Sequence, residues 1–330
     1  MKNARRLRIL TWHIHGNYLW YLSHTGHEFY LPTKTDGTPG YGGRGTTFPF
    51  GDNVCDVPAD EVRYRSFDCI LFQHRENYLC DQHKILSAAQ QRLPQIYLEH
   101  DPPLEHPTGQ RHCFQRRHGL LIHVTPFNAL MWDSGRTPTR VIEHGVPEHE
   151  GVRYTGEIPR GLVVVNDLGT RGRRLGGDIF EEARRHVPVD LVGMHSEHLG
   201  GLGEVSPPQL AAFEARYRFF FNPIRYTSLG LAVCEAMMLG MPLVGLATTE
   251  MATAVVRGVT GFVDTSLDRL IPRMQRLLEN PVEATRLGDN ARRFARRRFG
   301  IRRFVKHWRA ALADVTGSKS LSLAEREDAC

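Results

Sequence analysis

Residues 222–263, NPIRYTSLGLAVCEAMMLGMPLVGLATTEMATAVVRGVTGFV, decide how this chain folds. An apolar run between two glycines, Leu231–Leu239, predicts a helix. A short buried strand, Pro242–Leu246, is predicted to follow it. A helix that begins after Ser228-Leu-Gly230 presents free backbone N–H groups and the positive end of its dipole. The segment therefore predicts strand and helix in alternation, with an anion site suited to phosphate where the helix begins.

The rest of the chain shows the same alternation, which favours parallel α/β sheets. The predicted strands are Arg8–His13, His27–Leu31, Asp68–Gln73, Gln95–Glu99, Leu120–Val124, Arg140–Ile142, Gly161–Val165, Val189–Val192 and Arg218–Phe221. The predicted helices are Asn17–His24, Asp81–Gln91, Asp178–His186, Pro208–Arg216 and Leu267–Glu279. Pro32–Asp52 is predicted to be a long loop. Pro147–Pro159 is predicted to link two similar domains, whose facing strand ends would form a ligand cleft.

The composition is that of a globular protein, with 41% hydrophobic and 24% charged residues. These values exclude collagen-like, coiled-coil and wholly disordered chains, and 330 residues suggest two domains. Six cysteines show no paired spacing, which argues against a zinc site or a disulfide framework. The first residues lack the apolar core of a secretory signal, and the uncharged stretch Ala236–Thr249 is too short to span a bilayer. We expect a cytoplasmic protein.

Basic residues are concentrated near the end of the chain, although the formal net charge is only +6. Between Ala291 and Arg309 lie nine arginines and lysines and no acidic residue. Apolar residues interleave with them at helical spacing, which indicates a helix with a solvated basic face. Contact of Arg292–Arg309 with an anionic membrane, or with nucleic acid, is the alternative. Because the aromatic side chains have core-like spacing, no nucleic-acid partner is expected.

Three other patterns point away from common sites. Gly40-Tyr-Gly-Gly-Arg-Gly45 has the spacing of a dinucleotide-binding fingerprint, but no strand closely precedes it and no helix follows, so we expect a loop. No Asp-x-Asp pair exists to hold a metal-bound nucleotide diphosphate. The 17 histidines lack metal-ligand spacing, and His195-Ser-Glu-His198 lies in a glycine-rich loop. No metal and no cofactor are therefore expected.

The segment quoted first resembles the signature of retaining GT-B glycosyltransferases of glycosyltransferase family 4, usually written EGFGLxxLEAMAxGxPVV and followed by a GxTG turn. Thr227-Ser-Leu-Gly-Leu231 stands in place of the first five residues, and Cys234–Val244 in place of the rest. Arg257-Gly-Val-Thr-Gly261 matches the turn. The match runs without a gap over about forty residues.

Other stretches resemble the same family, so that the resemblance covers nearly the whole chain apart from Pro32–Arg65 and the tail after Val315. These stretches are Arg8–Leu31, Asp68–His74, Ile142–Pro147, Leu202–Ser206 and Arg292–Ala311. The resemblance implies an acceptor-side Rossmann-like domain over 1–147 and a nucleotide-sugar-binding one over 148–295. It also implies a closing helix over 296–315 that packs back on the first domain. Residues 316–330 are expected to form a disordered tail.

The resemblance also implies the function: transfer of a sugar, with retention, from a nucleotide diphosphate donor, UDP or GDP, to a hydroxyl of a saccharide or lipid-linked acceptor. Bacterial polysaccharide or glycolipid assembly at the inner face of the membrane is the expected setting. The implied catalytic residues are His100, Glu235, Arg171 and Arg174. The implied donor-binding residues are Gly16, Arg173, Gly203, Glu204, Val205, Thr227, Ser228, Leu229, Gly230, Leu231 and Glu235.

The sequence departs from the family at two places that matter for chemistry. The first glutamate of the Glu-x7-Glu pair, commonly near the sugar hydroxyls, is Thr227, while the second, commonly on the ribose, is Glu235. The family's lysine on the diphosphate falls at Leu175, so the arginines before it would supply that charge. A catalytically inactive subunit that binds without turnover therefore stays open as the alternative function. Glu235 is expected to be partly exposed.

Overall fold

The structure is a computed structural model, and it describes residues 5–318. The chain divides into two compact units, Met1–Gly145 with Ile301–Cys330 and Val146–Gly300. The strands are β1 (Arg8–Thr11), β2 (Glu28–Thr33), β3 (Val54–Pro58), β4 (Cys69–Phe72), β5 (Gln95–Glu99), β6 (Leu120–His123), β7 (Thr139–Val141), β8 (Ile158–Val164), β9 (Val189–Val192), β10 (Tyr217–Asn222), β11 (Leu243–Leu246) and β12 (Gly261–Asp264). The helices are α1 (Gly16–Ser23), α2 (Gln82–Ile85), α3 (Pro126–Met131), α4 (Gly172–Leu175), α5 (Gly177–Arg184), α6 (Pro207–Glu214), α7 (Leu231–Leu239), α8 (Met251–Ala254), α9 (Leu267–Glu279), α10 (Pro281–Arg298) and α11 (Ile301–Thr316).

The first unit is built on a seven-stranded parallel sheet in the order β3-β2-β1-β4-β5-β6-β7. Because both faces of such a sheet are covered, its strands are continuous apolar runs, and every residue of β4 and β6 is buried. Trp12 and Phe72 stack at 5.7 Å in the core. The helix α11 belongs to this unit, since the Trp308 indole donates to the Tyr18 hydroxyl at 3.0 Å and the Arg309 guanidinium donates to the Thr25 carbonyl at 2.8 Å.

The second unit is a five-stranded parallel sheet in the order β12-β11-β10-β8-β9. Its central strand β10 is buried at all six positions, and the apolar side of α9 packs against the sheet through Leu270, Met274 and Leu277. The two parallel sheets confirm the predicted α/β class with two Rossmann-like units. The chain passes between the units after Gly145 and after Gly300, against predicted limits of 147 and 295.

Several boundaries were predicted wrongly because tertiary contacts, not local periodicity, set them. The sequence predicted no strand where β3 lies, after the predicted loop. Only two of the five residues of β3 are buried, so the alternation of apolar and polar residues that marks a strand is weak there. The predicted helix Asp81–Gln91 is a π-helical turn over Asn77–Asp81 and one α-turn, followed by a separate 3-10 turn. The Gln90 amide holds that last turn, donating to the Val62 and Arg65 carbonyls at 2.8 Å each.

The sequence predicted one helix over the basic segment Ala291–Arg309, which was wrong. In the structure this segment is the end of α10 and the start of α11. The break falls at Phe299–Gly300, where Gly300 forms a bridge with Val146. Most of the predicted tail, residues 319–330, lies outside the described part of the chain. None of the described helices is both long enough and apolar enough to cross a bilayer.

The helices α7 and α10 meet backbone to backbone. A Cβ on Gly288 would lie 1.9 Å from the Gly240 carbonyl oxygen, so only glycine fits in α10 at this point. Gly240 itself ends α7 in the left-handed conformation, with φ of 96°. The contact places α10 across the end of the helix that the glycine-rich signature predicted.

We expect Gly288→Ala to lower the free energy of unfolding by about 1–3 kcal/mol, because the methyl group meets a carbonyl that cannot move away. The effect opposes a gain of about 1 kcal/mol from helix propensity, which makes its sign diagnostic. Urea denaturation measures it. Thr285→Ala, at an exposed position of the same helix, is the matched control and should be neutral or stabilising. A Gly288→Ala protein as stable as that control would show that the two helices do not touch here.

Candidate functional site

The order of strands in the second unit creates a crevice between β8 and β10. From β8 the chain moves to β9 on one side, whereas β10, β11 and β12 lie on the other. Open α/β sheets bind ligands outside the carboxyl ends of their strands at such a reversal of direction. The loops after β8, β9 and β10 all leave from this edge because the strands are parallel. The segments that follow these strands, including α4 and α7, contain the predicted donor-binding residues of the second unit.

An ion pair ties the start of α5, which follows β8 in the chain, to the loop after β10. Arg225 donates from Nη1 to Asp178 Oδ1 at 2.6 Å and from Nη2 to Asp178 Oδ2 at 2.7 Å. Its backbone N–H also donates to the Arg174 carbonyl at 3.0 Å. The guanidinium holds the pKa of the Asp178 carboxyl below its ordinary value. We call this ion pair the Arg225–Asp178 clasp, since it joins the two segments.

Gly176 lets the same two segments approach each other. Its φ is 83°, and a Cβ would lie 2.0 Å from the Pro223 carbonyl oxygen. The next residue back, Leu175, is buried in the core of the unit. Leu175 is the residue that the resemblance aligned with the family's lysine, and its buried, apolar side chain brings no charge to this edge.

The three predicted arginines occupy different environments. Arg171 is exposed and precedes α4. Arg173 is 78% exposed, and its Nη1 lies 2.7 Å from Asp178 Oδ2. Arg174 is only partly exposed, and its carbonyl accepts from the Arg225 and Tyr226 N–H groups at 3.0 and 3.2 Å. The Arg173 carbonyl also accepts from Arg225 Nη1, at 2.7 Å, so the backbones of Arg173 and Arg174 are both held to the loop that leads into α7. The two residues differ in their side chains, since that of Arg173 is exposed and paired with Asp178.

The loop after β9 carries Gly203, Glu204 and Val205 at the same edge. Gly203 accepts from the Gly193 N–H and donates to the Ser196 hydroxyl, both at 3.0 Å. Its φ of 86° suits glycine. Glu204 is exposed and Val205 partly exposed, so both side chains are accessible from solvent.

The start of α7 is open to an anion. Gly230 precedes it in the extended conformation, no side chain caps the helix, and its first turn holds no acidic residue. Thr227, Ser228 and Leu231 are partly exposed beside it, whereas Leu229 is buried. Nine residues of aligned peptide dipoles end at this edge, which favours negative charge there.

Glu235 is buried, with 7% of its surface exposed, whereas the sequence predicted a partly exposed side chain. The cause is α6, which packs beside α7 and brings Glu214 near it. Glu214 is 1% exposed, and neither of its carboxyl oxygens has a hydrogen-bond partner within residues 5–318. Burial, and then the charge of Glu235, raise the pKa of Glu214 well above its ordinary value. No motif in the sequence signals this pair.

In the first unit, His100 lies in a cluster of rings at the carboxyl edge of the sheet. The ring of His15 is 4.0 Å from that of His100, and Tyr18 is 4.9 Å away from His100 and 5.7 Å from His144. Burial first, and then His15 and His144, hold the pKa of His100 well below its ordinary value. The imidazole is therefore neutral at physiological pH. Sequence reasoning found His100 and missed its two neighbours, which come from distant loops.

Gln73 sets the tautomer of His100. The Gln73 amide nitrogen donates to Thr11 Oγ1 at 3.0 Å and to the Trp12 carbonyl at 3.1 Å, which turns its oxygen toward His100. That oxygen is 3.2 Å from His100 Nε2. A neutral ring then carries its proton on Nε2 and keeps Nδ1 as an acceptor.

Gly16 begins α1 at the same edge of the first unit. The space that a side chain would take is filled by the Phe48 ring, whose nearest carbon would lie 2.0 Å from a Cβ at position 16. Packing against Phe48, in the loop over 34–53, is therefore by itself a reason for glycine at position 16. Close approach of a donor at Gly16 stays a prediction.

Much of the basic charge of α10 and α11 serves the fold. Arg298 lies 2.6 Å from Glu250, and Arg296 lies 2.5 Å from Glu148. Arg303 donates to two backbone carbonyls, and Arg309 is buried. Within Ala291–Arg309 the exposed cations are Arg293, Arg296, Arg297, Arg302 and Lys306, of which Arg296 is the one paired with Glu148. Contact of this segment with a membrane stays a prediction. Fewer of its nine basic side chains are available for such a contact than the sequence suggested.

Replacing the buried acid of the glutamate pair should change how stability depends on pH. The pKa of Glu214 is higher in the folded state than in the unfolded state, so folding favours its protonated form. The contribution of this group to the free energy of unfolding is therefore full below about pH 4.5 and is lost as pH rises. We expect Glu214→Gln to be more stable than the wild type, with a larger gain at pH 8 than at pH 5. Thermal unfolding across pH measures this. Glu181→Gln, at an exposed position of α5, is the control. Parallel pH curves for Glu214→Gln and the wild type would contradict the assignment.

Comparison with known proteins bears on the same region. Residues 194–294 match the family described as glycosyl transferases group 1. None of the curated protein sequences matches the chain. Among solved structures, the sucrose-phosphate synthase (tll1590) of Thermosynechococcus elongatus gives a TM-score of 0.68 at 15% identity, over 94% of this chain and 100% of that chain. HepE (Alr3699) of Anabaena, solved in complex with UDP, gives 0.66 at 14% identity, over 94% and 100%.

TarM of S. aureus, solved with UDP and saccharide ligands, gives a TM-score of 0.58 at 12% identity, over 74% of this chain and 55% of that chain. Likeness at these identities shows the fold, which is the two-domain Rossmann-like fold of GT-B glycosyltransferases. The group 1 domain lies in the unit that holds the clasp and the open start of α7. The domain match and the fold together support a GT-B glycosyltransferase.

Proposed function

We propose that this chain is a retaining glycosyltransferase of the family 4 type, which transfers a sugar from a nucleotide diphosphate donor to a hydroxyl of a saccharide or lipid-linked acceptor. One observation carries the proposal. The uncapped start of α7, Arg174 in α4 and the loop with Gly203 all follow strands of one parallel sheet and so belong to its carboxyl edge, and the first and third of these lie within the matched residues 194–294. An anion with a nucleoside attached fits such an edge.

The nucleoside would bind between the loop with Gly203 and α7. In this proposal the base lies against Gly203–Val205, and the carboxylate of Glu235 accepts hydrogen bonds from the ribose hydroxyls. Glu214 beside it would stay protonated, because its pKa is raised by burial and by the charge of Glu235. HepE, a protein with the same fold, was solved in complex with UDP. We propose UDP or GDP as the nucleotide of the donor.

Departure of the nucleotide diphosphate leaves negative charge that must be stabilised. The N–H groups of the first turn of α7 and the guanidinium of Arg174 would do so without a metal, since the helix and the backbone of Arg174 are in place before the reaction begins. Arg173 is committed in part to Asp178, and Arg171 is exposed. Arg174 is therefore proposed to supply the main positive charge to the leaving group.

His100 is proposed to act at the sugar. Its neutral ring, with the proton on Nε2 toward Gln73, offers Nδ1 as an acceptor for a hydroxyl. A protonated imidazole would repel the positive charge that develops on the sugar ring as the leaving group departs. Burial of the His100 ring, together with His15 and His144 beside it, lowers the pKa of His100 and so opposes this protonation.

The alternative function is a binding subunit without turnover, and Thr227 is the observation that favours it. The setting we propose for the active enzyme is polysaccharide or glycolipid assembly in the cytoplasm, with the exposed cations of α10 and α11 resting on an anionic membrane. Purified protein incubated with UDP- and GDP-sugars tests the choice. Release of nucleotide diphosphate, together with a donor-dependent rise in melting temperature, supports the enzyme. A rise in melting temperature without release supports the binding subunit.

Among single alanine variants at the three arginines, we expect Arg174→Ala to lose most activity. The loss in kcat/KM should be on the order of 10²–10³, comparable to removal of one oxyanion donor. Arg171→Ala and Arg173→Ala serve as matched controls and should lose less than about fivefold, since exposed charges contribute little. Steady-state release of nucleotide diphosphate gives the numbers. Three equal, small losses would mean that the loop is only a basic surface.

Thr227→Glu should alter which donor sugar is preferred. A threonine hydroxyl cannot hold a vicinal diol by two charge-assisted hydrogen bonds, whereas a glutamate can. We expect the variant to favour a fully hydroxylated hexose over its deoxy analogue by about tenfold more than the wild type. Affinity for free nucleotide diphosphate should stay within about twofold. Competition between the two donors measures the ratio, and an unchanged ratio with robust turnover would show that position 227 does not face the sugar.

A further inference from the structure

Backbone strain within residues 5–318 is concentrated at one edge of the second unit. Apart from glycines, the described residues with a left-handed backbone are Asp167, His195 and Thr249, whose φ angles are 57°, 56° and 48°. Each of them is the third residue after a strand: Asp167 after β8, His195 after β9 and Thr249 after β11. An L-residue adopts this conformation at a cost in free energy, and such positions cluster where ligands are held. The strain thus falls at the carboxyl edge that carries the candidate donor site.

Two of the three strained residues are paired with each other. His195 Nδ1 lies 2.7 Å from Asp167 Oδ1. The backbone joins the same two loops, since the Asp167 N–H donates to the Met194 carbonyl and the Met194 N–H donates to Asn166 Oδ1, both at 2.9 Å. An ionised carboxylate can only accept, so Nδ1 carries a proton and Nε2 is the nitrogen left for a ligand. Within the described residues Nε2 has no hydrogen-bond partner, and 64% of the His195 side chain is exposed.

Hydrogen bonds connect this pair to two parts of the candidate donor site. The Asp167 carbonyl accepts from the Arg171 N–H at 3.0 Å, where the turn with the predicted arginines begins. Ser196, the neighbour of His195, accepts through its hydroxyl from the Gly203 N–H at 3.0 Å. The pair is therefore joined on one side to the segment proposed for the diphosphate and on the other side to the loop proposed for the base.

We propose that His195 is a nucleotide-binding residue whose Nε2 holds the phosphate next to the ribose, and that Asp167 positions its ring. A nucleotide that extends from Gly203 toward the arginines lies along this pair. Glu235 is proposed to hold the ribose and Arg174 the departing phosphate, which leaves the phosphate between them for His195. A protonated imidazole forms a charge-assisted hydrogen bond to a phosphate oxygen, and the carboxylate beside it balances its charge. The inference rests on the proposed function and adds to it a residue outside the motifs that resemble the family.

Binding of nucleotide fragments tests this contact without any sugar or turnover. UDP, UMP and uridine, and GDP, GMP and guanosine, are titrated into the full chain by calorimetry. In His195→Asn the amide can still donate to Asp167, and asparagine accepts a left-handed backbone, so the loops stay joined while Nε2 is removed. In the series that binds, we expect both phosphate-bearing ligands to weaken at least tenfold and the nucleoside to change less than twofold. Asp167→Asn should show the same selectivity with a smaller loss.

Two matched controls place the same residue type nearby. His198→Asn removes an exposed imidazole from the same loop, whose ring lies 6.3 Å from that of His195 and has no hydrogen-bond partner among residues 5–318. Thr249→Asn places asparagine at the third strained position. Both variants should bind every ligand within twofold of the wild type, and melting temperatures check that all variants fold. Equal losses in His195→Asn and either control, or a loss in His195→Asn that is as large for the nucleoside as for its phosphates, would overturn the proposal.

Turnover of UDP- and GDP-sugars, measured separately, keeps this inference distinct from the proposed function. A wild type that cleaves a nucleotide sugar, together with a His195→Asn variant of unchanged affinity for all fragments, would refute the contact and keep the function. Selective weakening in His195→Asn without cleavage by the wild type would keep the contact and refute the enzyme in favour of the binding subunit. A wild type that binds neither series would refute both.

Discussion

The candidate donor site depends on the Arg225–Asp178 clasp. Each loop alone leaves its strand as an exposed, glycine-containing segment, which has little reason to hold one conformation. The bidentate pair, at 2.6 and 2.7 Å, joins the start of α5, which follows β8, to the loop after β10. Half-buried Arg–carboxylate pairs with two parallel bonds combine energy with fixed geometry. The clasp therefore decides where Arg174 lies with respect to the start of α7, and neither residue of the clasp has to touch a ligand.

The charges around the two candidate edges follow one physical rule, which is that burial removes charge unless a partner restores it. Asp178 keeps its charge because Arg225 faces it. Glu214, without such a partner, takes up a proton more readily, and His100 gives one up. The result is a cationic edge in the second unit and a neutral imidazole in the first. This distribution suits chemistry in which an anion departs from a sugar that becomes positive.

The sequence predicts most of what depends on local pattern. The helix Leu231–Leu239 and the strand Val189–Val192 have the bounds that were predicted, since their apolar runs end at strong stop signals. The resemblance to family 4 placed Thr227–Leu231, Gly203–Val205 and the arginines in loops that the parallel sheet brings to one edge.

Contacts between distant residues could not be predicted. Arg225 and Asp178 are 47 positions apart, and the rings around His100 come from the start of α1 and from the segment after β7. Gly288 looks like an ordinary, unfavourable helix residue until the carbonyl of Gly240 is seen beside it. The burial of Glu235 depends on α6, whose amphipathic pattern is weak. In each case the deciding partner is set by packing, for which a single sequence gives no distance.

The discontinuity of the first unit has a consequence for how the protein is made. Residues 146–300 form the second unit from one continuous stretch, whereas the first unit needs α11 from beyond that stretch. Trp308 of α11 is fully buried against Tyr18. Phe304 of the same helix packs so closely on Gly145 that a Cβ there would lie 2.0 Å from it. A ribosome releases these residues last, after the second unit is complete. The half of the molecule that emerges first is thus finished last, and a chain that stops before residue 301 would hold one folded unit and one with an open core.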